Sequence, residues 1–363
     1  MKKLLLIVAA ILLYSTHVNA QDSSSYSIVL LGDTHFDTEP ASVYHSNYNE
    51  KVEWLNRVQR AEFARNGEMW RERCPRLMDR ASRLITKDTR MAIQMGDLIQ
   101  GDCGKGEVHQ QMLEDVMNDF KHRLGDLPLV TVVGNHDIRG TDAESVYKSY
   151  MPKRMSEELG KNIEKTTFGF WIGNDAYIVV DFNTPDDNEL ERLLEEAKSA
   201  RYTFVIVHGP VLPFDSSSCR WFLYGSENDT AKRRHFRRLF AQRNIICLCG
   251  HTHWTGISDW WGDGGRITQF NANSVWSIPE KGNYTITTQD IKTYGELRKN
   301  TKHDNGSAIK DESALFAEYR KGLRKYIVSP SAGSYRMNVS RLGVTIDFYA
   351  GDSEEPSAHF LIR

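Results

Sequence analysis

Side chains that commonly bind metal ions occur in five short, widely separated segments of this chain. The segments are Asp33-Thr34-His35, Gly96-Asp97, Gly134-Asn135-His136-Asp137, His208-Gly209 and Gly250-His251-Thr252-His253. They contain five of the eleven histidines that follow residue 20. Imidazole, carboxylate and amide donors together suit Mn²⁺, Fe or Zn²⁺ and need no thiolate. The segments therefore predict metal-dependent chemistry, provided that the fold brings them together.

Each segment by itself has a simpler explanation. An isolated Asp33 and His35 are typical of a turn, and so is His208 before a glycine. The pair His251 and His253 alone is equally consistent with two surface histidines and with a single zinc site, and the latter would make the protein a mononuclear zinc hydrolase. One joint site is favoured by the place that all five segments share.

Each segment directly follows a short apolar run that predicts a buried strand. The predicted strands are Tyr26 to Leu31, Met91 to Met95, Pro128 to Val133, Tyr177 to Val180, Phe204 to Val207 and Ile245 to Cys249. Continuous apolar runs of this length are typical of strands buried on both faces. Because ligands of α/β sheets bind outside the carboxyl ends of the strands, the five segments should meet at one edge.

Helical stretches alternate with these strands. Apolar residues at helical spacing are Leu113, Met117, Phe120 and Leu124, then Leu190, Leu193, Leu194 and Ala197, then Phe236, Leu239 and Phe240. The alternation predicts an α/β layered fold. Glycines 32, 96, 134 and 250 are expected where tight turns bring the backbone close to the site.

The ordered set D-x-H, G-D, G-N-H-D, H and G-H-x-H resembles the calcineurin-like metallophosphoesterase family over roughly residues 26–275. The resemblance implies an α/β fold, a four-layer α/β/β/α sandwich with two mainly buried sheets. It also implies two divalent metal ions, Mn, Fe or Zn, and cleavage of a phosphoester by metal-activated water.

By the same resemblance, the ligands form two groups that share one carboxylate. One metal would be bound by Asp33, His35 and His253, the other by Asn135, His208 and His251, and Asp97 would bridge them. His136 has no metal role in the family pattern, so it is the candidate general acid or a hydrogen-bond donor to the phosphate. His136 and Asp97 are the predicted catalytic residues.

Two positions separate this sequence from other branches of that family. Serine/threonine protein phosphatases have an Asp that orients the catalytic His, and then an Arg, where Gln100 and Gly101 stand; Asp102 is left as the candidate for that role. Purple acid phosphatases have a Tyr in place of Gln100 and a Gly in place of His35. The pattern resembles the phosphodiesterase-like branch, which favours phosphodiesters over phosphomonoesters. The alternative is a catalytically silent protein of the same fold that binds metal or a phosphoester.

The first 20 residues predict a signal peptide. Two lysines precede an apolar run from Leu4 to Leu13, and Val18 and Ala20 are the small residues of a cleavage site before Gln21. Ten apolar residues are too few to span about 30 Å of hydrocarbon. We therefore expect export to a bacterial periplasm or the cell exterior, without a membrane span.

Residues 21–363 are predicted to form one domain. A polar stretch at about 280–325 indicates an insertion or extended loop, and residues 335–349 alternate like a terminal hairpin. The formal net charge is −2, and it becomes −4 when the two lysines of the signal peptide are removed. This balance predicts no nucleic-acid polymer as a partner, and the family resemblance implies a small-molecule phosphoester substrate. The sequence leaves the oligomeric state open.

The chain has five cysteines, so at least one thiol must be free. Cys247 and Cys249 alternate within one predicted strand, and we expect both to be core thiols on the same side. Export permits disulfides, so Cys103 could pair with either Cys74 or Cys219, and the sequence does not choose between them.

Two further groups of residues bear on the substrate less directly. The aromatic group comprises Trp221, Phe222, Tyr224, Trp254, Trp260 and Trp261, and the basic group comprises Lys232, Arg233, Arg234, Arg237 and Arg238. The aromatic side chains would either stack on a base or sugar or pack in the core. For the basic group, a solvated helix face is favoured over an anion site.

Overall fold

The computed structural model describes residues 25–38, 41–45, 53–215, 222–275, 284–296 and 312–363, which form two β-sheets with α-helices. The strands are β1 (Tyr26–Leu31), β2 (Thr89–Gln94), β3 (Leu129–Thr131), β4 (Phe168–Ile172), β5 (Asp175–Val180), β6 (Thr203–Val207), β7 (Ile246–Cys249), β8 (Thr255–Gly262), β9 (Gly265–Asn271), β10 (Leu323–Ser329), β11 (Gly333–Ser340), β12 (Gly343–Ala350) and β13 (Ala358–Leu361). The helices are α1 (Ala41–Tyr44), α2 (Glu53–Ser82), α3 (Gly106–Leu124), α4 (Ala143–Leu159), α5 (Asp187–Glu196), α6 (Thr230–Gln242) and α7 (Glu312–Arg320). The predicted signal peptide lies outside the described residues.

The first sheet has the strand order β13-β12-β11-β1-β2-β3. β1 pairs in parallel with β2 on one side, with Val29 opposite Ala92, and antiparallel with β11 on the other, with Val29 opposite Arg336. All six residues of β1 are buried, which explains its unbroken apolar sequence.

The second sheet has the strand order β10-β8-β9-β7-β6-β5-β4. Its central strands β5, β6 and β7 are parallel, and β7 also pairs in parallel with β9. Alternate residues of β5 point to opposite faces, so Tyr177 and Val179 join the core shared with the first sheet, whereas Ile178 and Val180 join a second core. Both faces of this sheet are therefore buried.

Helices cover the outer face of each sheet. Trp70 of α2, Met112 of α3 and Met151 of α4 belong to the core that contains the first sheet. Leu190 of α5 and Phe236 of α6 belong to the second core. The order of layers is helices, sheet, sheet, helices, which confirms the predicted four-layer α/β/β/α sandwich.

The polar stretch at 280–325 differs from the expected loop in its described part. Helix α7 and the start of β10 lie there, and β10 pairs antiparallel with β8, with Ile327 opposite Ile257. Tyr294, Phe316 and Tyr319 are buried in the second core, so a few apolar side chains anchor an otherwise polar segment. The hairpin of β11 and β12 lies where one was predicted.

Four of the five cysteines lie in the described part of the chain. Cys74, Cys103, Cys247 and Cys249 are buried free thiols. The possible Cys74–Cys103 disulfide is therefore wrong, because both thiols are free. Cys247 and Cys249 share the second core, as expected from their alternation. Cys219 lies outside the described residues.

A membrane-spanning helix was not found in the portion of the chain that the structure covers.

Candidate metal centre

The five predicted segments meet at the edge where the parallel strands of both sheets end. Asp33 follows β1, Asp97 follows β2, Asn135 and His136 follow β3, His208 follows β6, and His251 and His253 follow β7. The structure thus brings all the predicted site residues together, as the strand-end argument requires.

Tight turns place these side chains. A Cβ on Gly134 would lie 2.2 Å from Oδ1 of Asp97, and one on Gly96 would lie 2.6 Å from Nδ1 of His208. Gly96 also has a φ of 87°, which glycine adopts without strain. Asp97 itself has a φ of 49° and His251 one of 64°. Left-handed conformations are costly for such residues and persist at sites where the surrounding structure holds them.

Asp33, His35 and His253 form the first group of donors. His253 Nε2 lies 3.0 Å from Asp33 Oδ2 and 3.4 Å from His35 Nε2. Both oxygens of Asp33 also accept from the backbone N–H of His251, at 3.0 and 3.1 Å. These hydrogen bonds fix the carboxylate while it faces two imidazoles, which is a donor set that fits one metal ion.

Asp97, Asn135, His208 and His251 form the second group. His208 Nε2 lies 3.2 Å from Asp97 Oδ2, 3.3 Å from Asn135 Oδ1 and 3.1 Å from His251 Nδ1. His208 Nδ1 donates to the Met95 carbonyl at 2.7 Å, so Nε2 is the nitrogen that faces the site. Asp97 Oδ2 is also 3.7 Å from His35 Nε2, and its carboxylate therefore lies between the two groups.

The electrostatics of the site favour a cation. Burial opposes the charged form of Asp97, yet His208 and His136 hold its pKa well below the usual range. Burial alone would lower the pKa of His208, but Asp97 and Asp33 raise it to about 9. Burial and the neighbouring His136 keep the pKa of His35 well below its ordinary value, so its ring is neutral. The site without metal therefore already stabilises a positive charge, the proton on His208, and a divalent metal ion bound there would displace that proton.

His136 lies beside Asp97 and His35, and its buried ring has its centroid 4.4 Å from that of His35. Its backbone N–H donates to Asp97 Oδ1 at 2.8 Å, and Nδ1 donates to the Gln100 carbonyl at 2.8 Å. Nε2 is then the nitrogen available to a substrate, and it lies 3.7 Å from Glu62 Oε1.

Asp102, the open candidate for orienting His136, does not take that role. Asp102 Oδ2 accepts from Arg139 Nε at 2.6 Å, and its Oδ1 accepts from Gln59 at 3.3 Å. Burial raises the pKa of Asp102 to about 6 against the opposing effect of Arg139. The guanidinium and the amide occupy the carboxylate, and a backbone carbonyl orients the histidine instead.

The sequence did not predict that α2 forms one wall of the site. A cavity of about 420 Å³ is lined by His35, Asp97, Asn135, His136, His251 and His253 from the loops, and by Glu62, Arg65, Asn66 and Met69 from α2. Phe63, Trp70 and Cys74 are buried and recur at intervals that place them on one face of a helix. It indicates a helix, but it does not show that the adjoining polar face covers the metal-ligand loops.

The aromatic and basic groups belong mainly to the scaffold. Trp260 is buried in the second core and donates to the Tyr319 carbonyl at 2.9 Å, whereas Trp261 is 51% exposed. Phe222 and Tyr224 are also buried in the second core, Trp254 is partly buried against it, and Trp221 lies outside the described residues. None of these described aromatics lines the cavity with the metal ligands.

Several cations of α6 are paired with acids or carbonyls. Lys232 lies 2.7 Å from Asp187, and Arg234 and Arg237 both contact Glu318. Arg233 is buried and donates to the Tyr224 carbonyl. These contacts leave little unpaired basic surface for an anion. They agree with the prediction that the basic group is a helix face and not an anion site.

Comparisons with known proteins give the fold and the family. Solved structures similar to this chain include a purple acid phosphatase from yellow lupin (Lupinus luteus), with 9% identity, TM-score 0.51 and coverage of 93% of this chain and 54% of that chain. A dimetal phosphatase from Danio rerio has 9% identity and TM-score 0.49, covering 93% and 99%. GAP50, the anchor in the inner membrane complex of Plasmodium, has 13% identity and TM-score 0.44, covering 94% and 89%.

No curated protein matches the chain in sequence. The family model for calcineurin-like phosphoesterases matches residues 26–255, which is more than half of the chain and includes every predicted site residue. The chain therefore belongs to the calcineurin-like phosphoesterase family.

Proposed function

We propose that the protein is an exported hydrolase with a binuclear metal centre that cleaves phosphoester bonds, with phosphodiesters favoured over phosphomonoesters. The observation that carries this proposal is the position of Asp97. Its Oδ2 lies 3.2 Å from His208 Nε2 and 3.7 Å from His35 Nε2, so one carboxylate faces both donor groups. Family membership and the His and Asp clusters support the use of divalent metal ions.

In this proposal, the donors divide between two metal sites that share one carboxylate. One ion would be held by Asp33, His35 and His253, the other by Asn135, His208 and His251, with Asp97 shared. Divalent ions at such sites supply a water that is deprotonated near neutral pH, and they neutralise charge on the phosphate oxygens. Imidazole and carboxylate donors without a thiolate suit Mn, Fe or Zn.

The protein's own residues hold this arrangement in place. The Met95 carbonyl fixes the ring of His208, and the backbone N–H of His136 fixes Oδ1 of Asp97. Because Nδ1 of His136 donates to the Gln100 carbonyl, Nε2 faces the cavity and would donate to the leaving oxygen or the phosphate only from the doubly protonated ring. Burial opposes that form, since it lowers the pKa of His136 to about 3, so the ring would have to take up its second proton in the complex with substrate. His136 is thus assigned to the leaving-group side of the reaction.

A small-molecule phosphoester is the proposed substrate. The cavity of about 420 Å³ suits a small ligand, and the formal net charge of −2 does not favour a nucleic-acid polymer. Export to the periplasm or the cell exterior rests on the signal peptide pattern of residues 1–20.

The proposed function is tested with the mature protein and two chromogenic substrates, p-nitrophenyl phosphate and bis(p-nitrophenyl) phosphate. We expect chelation to abolish hydrolysis, Mn²⁺ or Zn²⁺ to restore it, and the diester to have the higher kcat/KM. A metal-loaded protein that binds a phosphoester tightly but turns over no member of a broad panel would contradict hydrolysis. That result would favour a catalytically silent binding protein.

A further inference from the structure

The polar face of α2 is attached to the loops that carry Asp97 and His136. Gln59 donates to Asp102 at 3.3 Å, and Asn66 donates to the side-chain oxygen of Gln100 at 2.8 Å. Glu62 lies between Gln59 and Asn66 on the same helical face. The hydrogen bonds on either side therefore hold Glu62 in a fixed position over the site.

Glu62 lines the cavity next to His136, the residue that the proposed function assigns to the leaving group. Its Oε2 accepts from Arg139 at 3.2 Å, and its Oε1 lies 3.7 Å from His136 Nε2. Its side chain is 27% exposed. Among the described residues that line the cavity, Glu62 and Asp97 are the only acids, and Asp97 faces the metal donors.

The carboxylate of Glu62 would repel the phosphate group that the proposed site binds. Like charges repel, so an acid beside the bound anion is unfavourable unless cations or hydrogen-bond donors offset its charge, and Arg139 does so at only one of the two oxygens of Glu62 among the contacts described. Arg139 engages Oε2, and Oε1 faces the cavity side of His136. A hydroxyl attached next to the leaving oxygen would come within hydrogen-bonding reach of Oε1 while Nε2 contacts the leaving oxygen.

We propose that Glu62 is a specificity-determining residue that accepts a hydrogen bond from a hydroxyl of the leaving alcohol. The preferred substrates are then phosphoesters of polyhydric alcohols, such as glycerol or a sugar. This inference rests on the proposed function, because it names the alcohol that the same site releases. A site built to bind a hydroxyl discriminates against the analogue that lacks it.

A matched pair of substrates isolates the hydroxyl contact. Glycerol 1-phosphate and propyl phosphate have the same chain length and differ in their hydroxyls, and both are also offered as methyl diesters. We expect the wild-type kcat/KM to favour the glycerol esters by about tenfold or more, as expected for a hydrogen bond to a charged group. In Glu62→Ala this ratio should fall by about tenfold, and Glu62→Gln, which keeps an oxygen acceptor, should retain part of it.

The control is Glu68→Ala, which removes an exposed acid from the same helix outside the cavity. It should leave the ratio unchanged. A purely structural role of Glu62, through Arg139, would lower kcat/KM for both alcohols equally. That outcome, or no wild-type preference for the glycerol esters, overturns the inference. Absence of turnover on the chromogenic esters as well would overturn the proposed function instead, so the two failures are distinguishable.

Discussion

At the scale of single residues, the site depends on hydrogen bonds that aim each donor. The Met95 carbonyl selects the nitrogen of His208 that faces the site, and the Gln100 carbonyl does the same for His136. Asp97 is fixed through the backbone N–H of His136. Supporting contacts of this kind set the orientation of metal ligands and are as necessary as the ligands themselves.

A substitution at Gly134 measures how strongly activity depends on the exact position of Asp97. In Gly134→Ala, the new Cβ would lie 2.1 Å from the backbone N of Asp97 and 2.2 Å from its Oδ1, so the shared carboxylate must move. We expect kcat/KM on bis(p-nitrophenyl) phosphate to fall by about a hundredfold, because displacement of a catalytic group by about 1 Å has effects of that size. Steady-state kinetics at saturating metal is the measurement.

Gly160→Ala is the matched control for that variant. Gly160 ends α4 with a φ of 58°, and its Cβ would meet no atom within 4 Å. It should cost about 1 kcal/mol of stability through backbone strain and leave kcat/KM unchanged. Equal losses of activity in the two variants would show that position 134 has no special relation to Asp97.

At the scale of elements, the sequence predicted the strands in which every residue is buried. β5, β6 and β7 are buried on both faces, so they appear as unbroken apolar runs. β8 was not predicted because Asp259 interrupts its pattern, and that acid is buried with Arg266 as its partner. Asp259 and Arg266 contact each other across the hairpin of β8 and β9, and an ion pair of this kind does not appear in a pattern of apolar residues.

Within the site, too, some residues could be predicted from the sequence and others could not. Its predicted residues all follow strands, and a strand end is visible in the sequence. Glu62 and Asn66 lie on a helix, and the loops that they contact, at Arg139 and Gln100, are remote in sequence. Only the packing of α2 across the first sheet brings them to the cavity, so no spacing rule could have identified Glu62.

The attachment of α3 to a loop of the site predicts a pH effect on stability. His109 of α3 is buried, and its Nε2 donates to the Asp137 carbonyl at 2.8 Å. Burial lowers its pKa to about 4, against about 6.5 in the unfolded chain. Between these values the unfolded state binds more protons, so this group's contribution to stability is complete above pH 6.5 and is lost as the pH falls towards 4.

Urea unfolding of the chelated protein measures this contribution. Between pH 7 and pH 4.5 the wild type should lose about 2 to 3 kcal/mol more of its unfolding free energy than His109→Gln, which keeps a donor but does not titrate. Chelation removes metal binding as a source of pH dependence in both proteins. If the two proteins lose the same stability over this range, His109 is not the buried neutral group described above.

At the scale of the whole molecule, two sheets from distant parts of the chain complete one site. The first sheet supplies Asp33, Asp97 and Asn135, and the second supplies His208 and His251. Neither sheet alone has both donor groups, so metal binding and the packing of the sheets should be coupled. The sequence predicted which residues are the ligands and that they follow strands. It could not predict the distances between them, because the packing of the two sheets determines those distances.

The metal content of the mature protein tests the central claim most directly. Elemental analysis after reconstitution with Mn²⁺ or Zn²⁺ should find two metal ions per wild-type chain, and Asp97→Ala should lose binding at both sites because the carboxylate is shared. One ion per wild-type chain would support a mononuclear site. Unchanged metal content in Asp97→Ala would contradict the assignment of Asp97 as the residue that joins the two groups.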